Sequence, residues 1–241
     1  MTGTEYRRSG RSGILKLFCG MLILTLSSCA PGSDHEASRW DKEISAIERR
    51  MVEHPVPPGG IVFAGSSSIR LWDLQKSFGD LLLPLSNQGF GGSQLSDSVH
   101  FFPRIISPLK PSVIVVYAGD NDIASGLTAE EVADDFRQFV AMARSDAEWQ
   151  PKVLFISIKP SLSRWKFSAE MEKANRTVSE ICQAGNQLEF LDIWNPMLGT
   201  DGLPRGNLFQ KDGLHLNTEG YELWESLLKP RLMAISGTSS R

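Results

Sequence analysis

The sequence contains few cysteines. Among its 241 residues there are three, at positions 19, 29 and 182. The first two fall within or directly after the N-terminal leader described below, so Cys182 stands alone in the remaining chain. A lone thiol cannot form an intrachain disulfide, and we expect none even in an oxidising compartment.

The sequence also lacks an excess of positive charge. Lys and Arg total 25 against 28 Asp and Glu, which gives a formal net charge of −3. Domains that bind nucleic acid usually carry a basic patch or stripe, and no such cluster stands out after the leader. The composition therefore argues against a nucleic-acid partner.

Two motif classes are missing as well. The histidines and cysteines do not show the spacing of a metal-binding motif. The glycines Gly89, Gly91 and Gly92 do not form a G-x-G-x-x-G pattern, and the lysine of a phosphate-binding P-loop is absent. We therefore expect no metal, no nucleotide and no organic cofactor.

The hydrophobic run at the N-terminus, residues 14–26, is too short for a comfortable membrane span. Basic residues precede it, and the combination predicts a secretory leader over residues 1–28. The basic residues are Arg7, Arg8, Arg11 and Lys16.

Residues 26–29, Leu-Ser-Ser-Cys, resemble the bacterial lipoprotein box, in which cleavage leaves a lipid-modified cysteine at the new N-terminus. The resemblance implies lipid attachment at Cys29 and anchoring to a membrane. Because Ala30 rather than an aspartate follows Cys29, it also implies the cell envelope, at the periplasmic face of the outer membrane. The alternative is an ordinary secretory signal with a chance cysteine.

Residues 29–37 are predicted to form a tether, and residues 38–241 a single domain. In this domain, short apolar segments alternate with segments of helical periodicity. Such alternation predicts an α/β protein, a three-layer α/β/α sandwich with a five-stranded, mostly parallel sheet. The strands are predicted at residues 60–65, 81–86, 113–118, 153–158 and 188–193.

Polar residues follow these strands, at the sheet edge where ligands usually bind. Ser67 follows the first strand, Gly92 the second and Asn121 the third, while Asp212 and His215 come after the fifth. A serine nucleophile needs an imidazole to take its proton and a carboxylate to orient the imidazole. Taken singly, these serine, asparagine and aspartate residues are also typical helix caps and turn formers.

Four blocks occur in chain order: Gly-Ser-Ser at 65–67, a glycine-rich segment at 87–93, Gly-Asp-Asn-Asp at 119–122 and Asp-Gly-Leu-His at 212–215. Together they resemble the SGNH, or GDSL-type, hydrolase family. The resemblance is greatest to its branch of platelet-activating-factor acetylhydrolase-like and carbohydrate acetylesterase-like enzymes.

The resemblance implies a flavodoxin-like SGNH hydrolase fold and assigns roles by position. Ser67 would be the nucleophile, His215 the base and Asp212 the group that orients His215. The oxyanion hole would consist of the Ser67 N–H, the Gly92 N–H and the side-chain amide of Asn121.

One position departs from the family pattern. Ser66 stands where the family has an aspartate before the nucleophile, which puts any role of that aspartate in doubt. The G-x-S-x-G elbow of α/β-hydrolases also fails, because Ile69 replaces its last glycine. The SGNH arrangement is therefore favoured over that fold.

By resemblance, the protein is expected to be a serine esterase. It would hydrolyse carboxylic esters through an acyl-serine intermediate, with a short acyl group such as O-acetyl on a glycan or small molecule. The alternatives are a lysophospholipase or thioesterase of the same fold, or a non-catalytic envelope-binding lipoprotein. The oligomeric state is not predicted.

Overall fold

A computed structural model describes residues 38–235. Its centre is a five-stranded sheet with the strand order β2-β1-β3-β4-β5, in which every neighbouring pair is parallel. The strands are β1 (Ile61–Gly65), β2 (Leu85–Gly89), β3 (Val113–Tyr117), β4 (Lys152–Ile156) and β5 (Leu188–Leu191).

The strands β1 and β3 are buried at every position because both faces of the sheet are covered. In β1, Val62 and Ala64 belong to one cluster of buried side chains, whereas Ile61 and Phe63 belong to the other. Successive strand residues point to opposite faces, so a strand buried on both faces has no polar side chain to alternate with.

On the first face, the larger of the two clusters contains apolar side chains from six helices. One of them, Ala129–Ala143, begins with a capping box: the Thr128 N–H donates to Glu131 Oε2 at 2.8 Å, and the Glu131 N–H donates to Thr128 Oγ1 at 3.3 Å. The helices are α1 (Asp41–Glu53), α4 (Leu95–His100), α5 (Phe102–Ile105), α6 (Asp120–Ala124), α7 (Ala129–Ala143) and α8 (Ser168–Ala184).

Three helices cover the second face: α2 (Ser67–Arg70), α3 (Leu74–Phe78) and α9 (Thr218–Ile235). The largest fully buried side chain, Trp224 of α9, packs against Tyr117 of β3 with ring centroids 4.9 Å apart. With helices on both sides of a parallel sheet, the predicted three-layer α/β/α sandwich is confirmed.

The second strand differs from its prediction. It spans Leu85–Gly89 rather than residues 81–86, so Leu81 and Leu82 precede it and Leu82 is exposed. Its polar residues Asn87 and Gln88 pair with Phe63 and Ala64 of β1. The prediction relied on apolar residues. It failed here because β2 is an edge strand, and its pairing depends on backbone hydrogen bonds more than on side-chain burial.

Other boundaries shift by a few residues. The β4 and β5 strands end two residues before their predicted ends, at Ile156 and Leu191. Among the helices, α4 and α5 meet at Phe101, and α9 continues through Pro230. No helix in the described part of the chain is long and apolar enough to cross a membrane. The predicted leader, the tether and Cys29 lie outside residues 38–235.

Gly65 ends β1 with a φ of +128°, and a Cβ placed there would lie 1.9 Å from the carbonyl oxygen of Tyr117. Only glycine combines this conformation with such a close approach of the neighbouring strand. The chain can therefore turn out of the sheet directly before Ser67.

We expect Gly65→Ala to lower the free energy of unfolding by more than about 3 kcal/mol, because the methyl group would collide with the backbone of β3. Gly126→Ala is the matched control. Gly126 also has a positive φ, +106°, but no atom lies within 4 Å of the place that a Cβ would take. Backbone strain alone should cost it about 1–2 kcal/mol. Urea unfolding of both variants tests the difference, and equal losses would contradict it.

Candidate active site

Ser67 lies where β1 gives way to α2. The preceding Ser66 is extended, donates its N–H to the Tyr117 carbonyl at 3.1 Å, and accepts from the N–H groups of Ile69 and Arg70. These bonds hold the turn on both sides of Ser67. Ser66 is buried, whereas Ser67 is partly exposed at the carboxyl end of the sheet.

His215 and Asp212 complete a hydrogen-bonded chain with Ser67. The Oγ of Ser67 lies 3.0 Å from Nε2 of His215, and Nδ1 of His215 lies 2.6 Å from Oδ2 of Asp212. A carboxylate can only accept, so it favours the tautomer with the proton on Nδ1. Nε2 is then free to accept the proton of the Ser67 hydroxyl.

Asp212 is held by its own loop. Its Oδ1 accepts the N–H groups of Leu214 at 2.9 Å and His215 at 3.0 Å. The hydrogen bond from the His215 side chain, followed by the bond from the Leu214 N–H, lowers the pKa of Asp212 to about 2. The carboxylate is therefore ionised at neutral pH, as an orienting group must be.

Asn121 lies in the first turn of α6, which follows β3 through Gly119 at a φ of +109°. Its Nδ2 donates to the Ser93 carbonyl at 2.8 Å, and its Oδ1 accepts from Nη2 of Arg164 at 2.8 Å. The contact with Ser93 brings the asparagine block against the glycine block, one residue from Gly92. Gly92 itself is exposed, with a φ of +75°.

Asp122 connects the loop after β3 to the start of α4, which follows the glycine-rich segment. It is fully buried, and its carboxylate accepts the N–H of Leu95 at 2.8 Å and the N–H of Gly119 at 3.0 Å. Burial raises the pKa of Asp122 to about 7. Asp122 thus supports the loops that carry Gly92 and Asn121.

The sequence analysis did not predict a charged cluster beneath these loops, in which Asp120 of the Gly-Asp-Asn-Asp block lies against Lys159 and Arg164. Nζ of Lys159 lies 2.8 Å from Oδ2 of Asp120, and Nη1 of Arg164 approaches the same oxygen at 3.2 Å in an ion pair without hydrogen-bond geometry. Lys159 is 1% exposed and Asp120 is 3% exposed.

Lys159 also connects the cluster to α2, the helix that begins at Ser67. Its Nζ donates to Oγ of Ser68 at 3.2 Å and to the hydroxyl of Tyr117 at 2.9 Å. Burial lowers the pKa of Lys159, and the Asp120 carboxylate partly restores it. One signal for this residue was present in the sequence: a lysine follows an apolar strand at the edge where the other site residues lie.

The structure connects the predicted site residues in two groups. Ser67, Asp212 and His215 form one hydrogen-bonded chain, and Asn121 contacts the residue after Gly92. Between residues 38 and 235, no group of three or more His, Cys, Asp or Glu side chains is arranged to hold a metal ion. The chain from Asp212 through His215 can activate the Ser67 hydroxyl as a nucleophile, which is the chemistry of acyl transfer.

This chain is similar to known proteins in sequence, in fold and in its match to a family model. A GDSL esterase/lipase, WDL1, from Oryza sativa subsp. japonica is 31% identical over an alignment of 142 residues, which covers 51% of this chain and 53% of the rice protein. The chain thus spans about half the length of that curated relative.

Two solved structures share the fold at low sequence identity. A protein from Streptococcus pneumonia described as a platelet activating factor is 21% identical, with a TM-score of 0.70 over 82% of this chain and 95% of that one. A catalytic mutant of Axe2, an acetylxylan esterase from Geobacillus stearothermophilus, is 13% identical, with a TM-score of 0.59 over 77% of this chain and 99% of that one.

The model of the GDSL-like lipase/acylhydrolase family matches residues 72–223. The match begins just after Ser67, so the altered Gly-Ser-Ser block lies outside it, but it includes Gly92, Asn121, Asp212 and His215. It covers well over half of the sequence, and with the shared fold it shows that this chain belongs to the GDSL-like lipase/acylhydrolase family.

Proposed function

We propose that the protein is a serine esterase that hydrolyses carboxylic esters through an acyl-Ser67 intermediate. The observation that carries the proposal is the continuous hydrogen-bonded chain from Ser67 Oγ through His215 to Asp212. A serine hydroxyl is a weak nucleophile near neutral pH, and this arrangement is the one that activates it.

In the acylation step, Nε2 of His215 takes the Ser67 proton while Oγ bonds to the ester carbonyl carbon. The N–H groups of Ser67 and Gly92, with the amide of Asn121, stabilise the negative charge that develops on the carbonyl oxygen. Collapse of the tetrahedral intermediate breaks the bond to the alcohol, which receives its proton from His215.

In the deacylation step, His215 takes a proton from water as the water oxygen attacks the acyl carbon. The acid is released, and Ser67 Oγ recovers its proton from His215. Asp212 remains ionised throughout and stabilises the imidazolium that forms in each half-reaction.

For the substrate, we propose a short acyl ester, such as an O-acetyl group on a glycan or small molecule. The fold shared with an acetylxylan esterase supports this class. The exposure of the catalytic residues also supports it: the side chains of His215 and Asp212 are 28% and 47% exposed, so the site can admit a bulky alcohol moiety. A lysophospholipase or thioesterase is the alternative within the fold, and a non-catalytic envelope-binding lipoprotein is the alternative outside enzymes.

For location, we propose attachment to a membrane through a lipid on Cys29, at the periplasmic face of the outer membrane. The support is the Leu-Ser-Ser-Cys sequence at residues 26–29, which follows a short apolar segment with basic residues before it.

The full-length protein, purified in detergent, should hydrolyse nitrophenyl acetate, with rates that fall as the acyl chain lengthens. Ser67→Ala and His215→Ala should abolish turnover, because each removes a group that bonds to or transfers the reacting atoms. Ser66→Ala is the matched control and should retain most activity, since the Ser66 hydroxyl has no hydrogen-bond partner among the described residues. Initial rates from acetyl to long acyl esters provide the measurement.

Activity that survives Ser67→Ala would refute the mechanism. Comparable rates on long acyl chains would favour a lipid substrate over an acetyl ester. A wild-type protein inactive on the whole series would favour the binding lipoprotein.

Asp212→Asn should lower kcat about 10⁴-fold, since an amide no longer enforces the productive tautomer of His215. Its effect on stability should depend on pH. The folded pKa of about 2 lies below the unfolded value of about 3.9, so the carboxylate stabilises the fold above about pH 4, and this contribution is lost as the pH falls toward 2. The difference in Tm between wild type and variant should therefore shrink in acid.

The matched control is Asp201→Asn, which alters another exposed aspartate that accepts a backbone N–H, from Leu203 at 3.0 Å. It should leave kcat unchanged. An Asp212→Asn variant with kcat within tenfold of wild type would contradict the orienting role.

Cys29→Ser should abolish lipid labelling and release the protein from the membrane fraction, because the thiol is the proposed attachment atom. Growth with radiolabelled palmitate, followed by fractionation, provides the measurement. Cys19→Ser, a change within the leader, should keep both the label and the membrane location. Label retained by Cys29→Ser would exclude the proposed anchor.

A further inference from the structure

The Asn121 amide is fixed at both ends by groups that allow one orientation only. The guanidinium of Arg164 can only donate, so the atom it contacts at 2.8 Å must be the amide oxygen. The Ser93 carbonyl can only accept, so the atom it contacts at 2.8 Å must be the amide nitrogen. One N–H of Asn121 is then used by Ser93, and the other is left to face a further acceptor.

Arg164 is fixed in turn by the charges beneath it. Its Nη1 lies 3.2 Å from Oδ2 of Asp120, a buried carboxylate that also receives Nζ of Lys159. The three acceptors around that Nζ, which are Asp120, Tyr117 and Ser68, match the three N–H donors of an ammonium group. Two cations therefore share one carboxylate, and the cluster carries one positive charge in excess.

The segment that supplies Arg164 also touches the loop of the catalytic histidine. Arg164 belongs to a 3₁₀ segment, Leu162–Phe167, that follows β4. Within it, the Ser163 N–H donates to the carbonyl of Gly213 at 3.1 Å. The same short segment thus contacts Asn121 on one side and the Asp212–His215 loop on the other.

We propose that Arg164 is a positioning residue for the oxyanion hole, held by the Asp120–Lys159 pair so that the Asn121 amide presents its free N–H to the developing oxyanion. The excess positive charge of the cluster polarises that amide and favours the anionic intermediate. Because Asp120 and Lys159 are almost fully buried, the charge that they hold acts more strongly than it would in water. This inference rests on the proposed esterase function and assigns a role to Arg164 and Lys159, which lie outside the four family blocks.

The kinetic test compares Arg164→Gln with Arg164→Lys in the full-length protein on nitrophenyl acetate. We expect Arg164→Gln to lower kcat about 10- to 100-fold with KM within about twofold, because it weakens an interaction made in the transition state. Arg164→Lys keeps the charge and should recover part of the loss. The matched control, Lys166→Gln, removes an exposed cation from the same segment and should leave kcat unchanged.

A double-mutant cycle with Asn121→Ala separates positioning from a general structural role. If Arg164 acts through Asn121, Arg164→Gln should cost less than about threefold in the Asn121→Ala background. Losses that multiply, or an Arg164→Gln variant with wild-type kcat, would overturn the proposal and leave the esterase function intact.

A second measurement does not depend on turnover. In protein labelled with ¹⁵N-asparagine, the side-chain NH₂ signal of Asn121 is identified by its loss in Asn121→Ala. It should be protected from exchange in wild type and should move toward the shifts of exposed asparagine in Arg164→Gln. An unchanged signal would overturn the positioning role. An inactive wild-type protein would instead refute the esterase function, while the NMR result would still decide how Asn121 is held.

Discussion

Parallel pairing of β1 with β3 is the constraint on which the site depends. Its register sets Gly65 opposite Tyr117, and the Tyr117 carbonyl then receives the N–H of Ser66. The carboxyl ends of all the strands lie at the same edge of the parallel sheet. The loops after β1, β2, β3 and β4 therefore lie near one another whatever side chains they carry. Catalytic geometry thus follows from backbone register first and from loop chemistry second.

The sequence predicted the layers because both faces of the sheet are buried. Val113–Tyr117 is apolar at every position, and α7 carries its own capping box, so both are visible in local pattern. The β2 strand was misplaced because Leu85–Gly89 is mostly polar and pairs through its backbone. Elements such as β3 and α7 form where side chains are buried, and sequence periodicity reports that burial. The position of β2 depends instead on pairing with a distant strand, which periodicity does not report.

For the site, the residues in short recognisable motifs were predictable from the sequence, but the charged residues that support them were not. Ser67 and His215 occur in short motifs, whereas Lys159 and Arg164 are ordinary cations until the fold places them on the Asp120 carboxylate. Their pairing depends on the β3–β4 register and on the path of a 3₁₀ segment. A buried charge is tolerated there because three partners satisfy Lys159, a fact that no single stretch of sequence contains.

The hydrogen bond between Ser67 and His215 joins residues 148 positions apart. The serine is synthesised well before its histidine partner, which lies on the loop just before α9. A nascent or C-terminally truncated polypeptide therefore carries an unactivated hydroxyl, chemically like any other serine. The contact exists only in the folded chain, so the hydroxyl is not activated for as long as the chain remains unfolded.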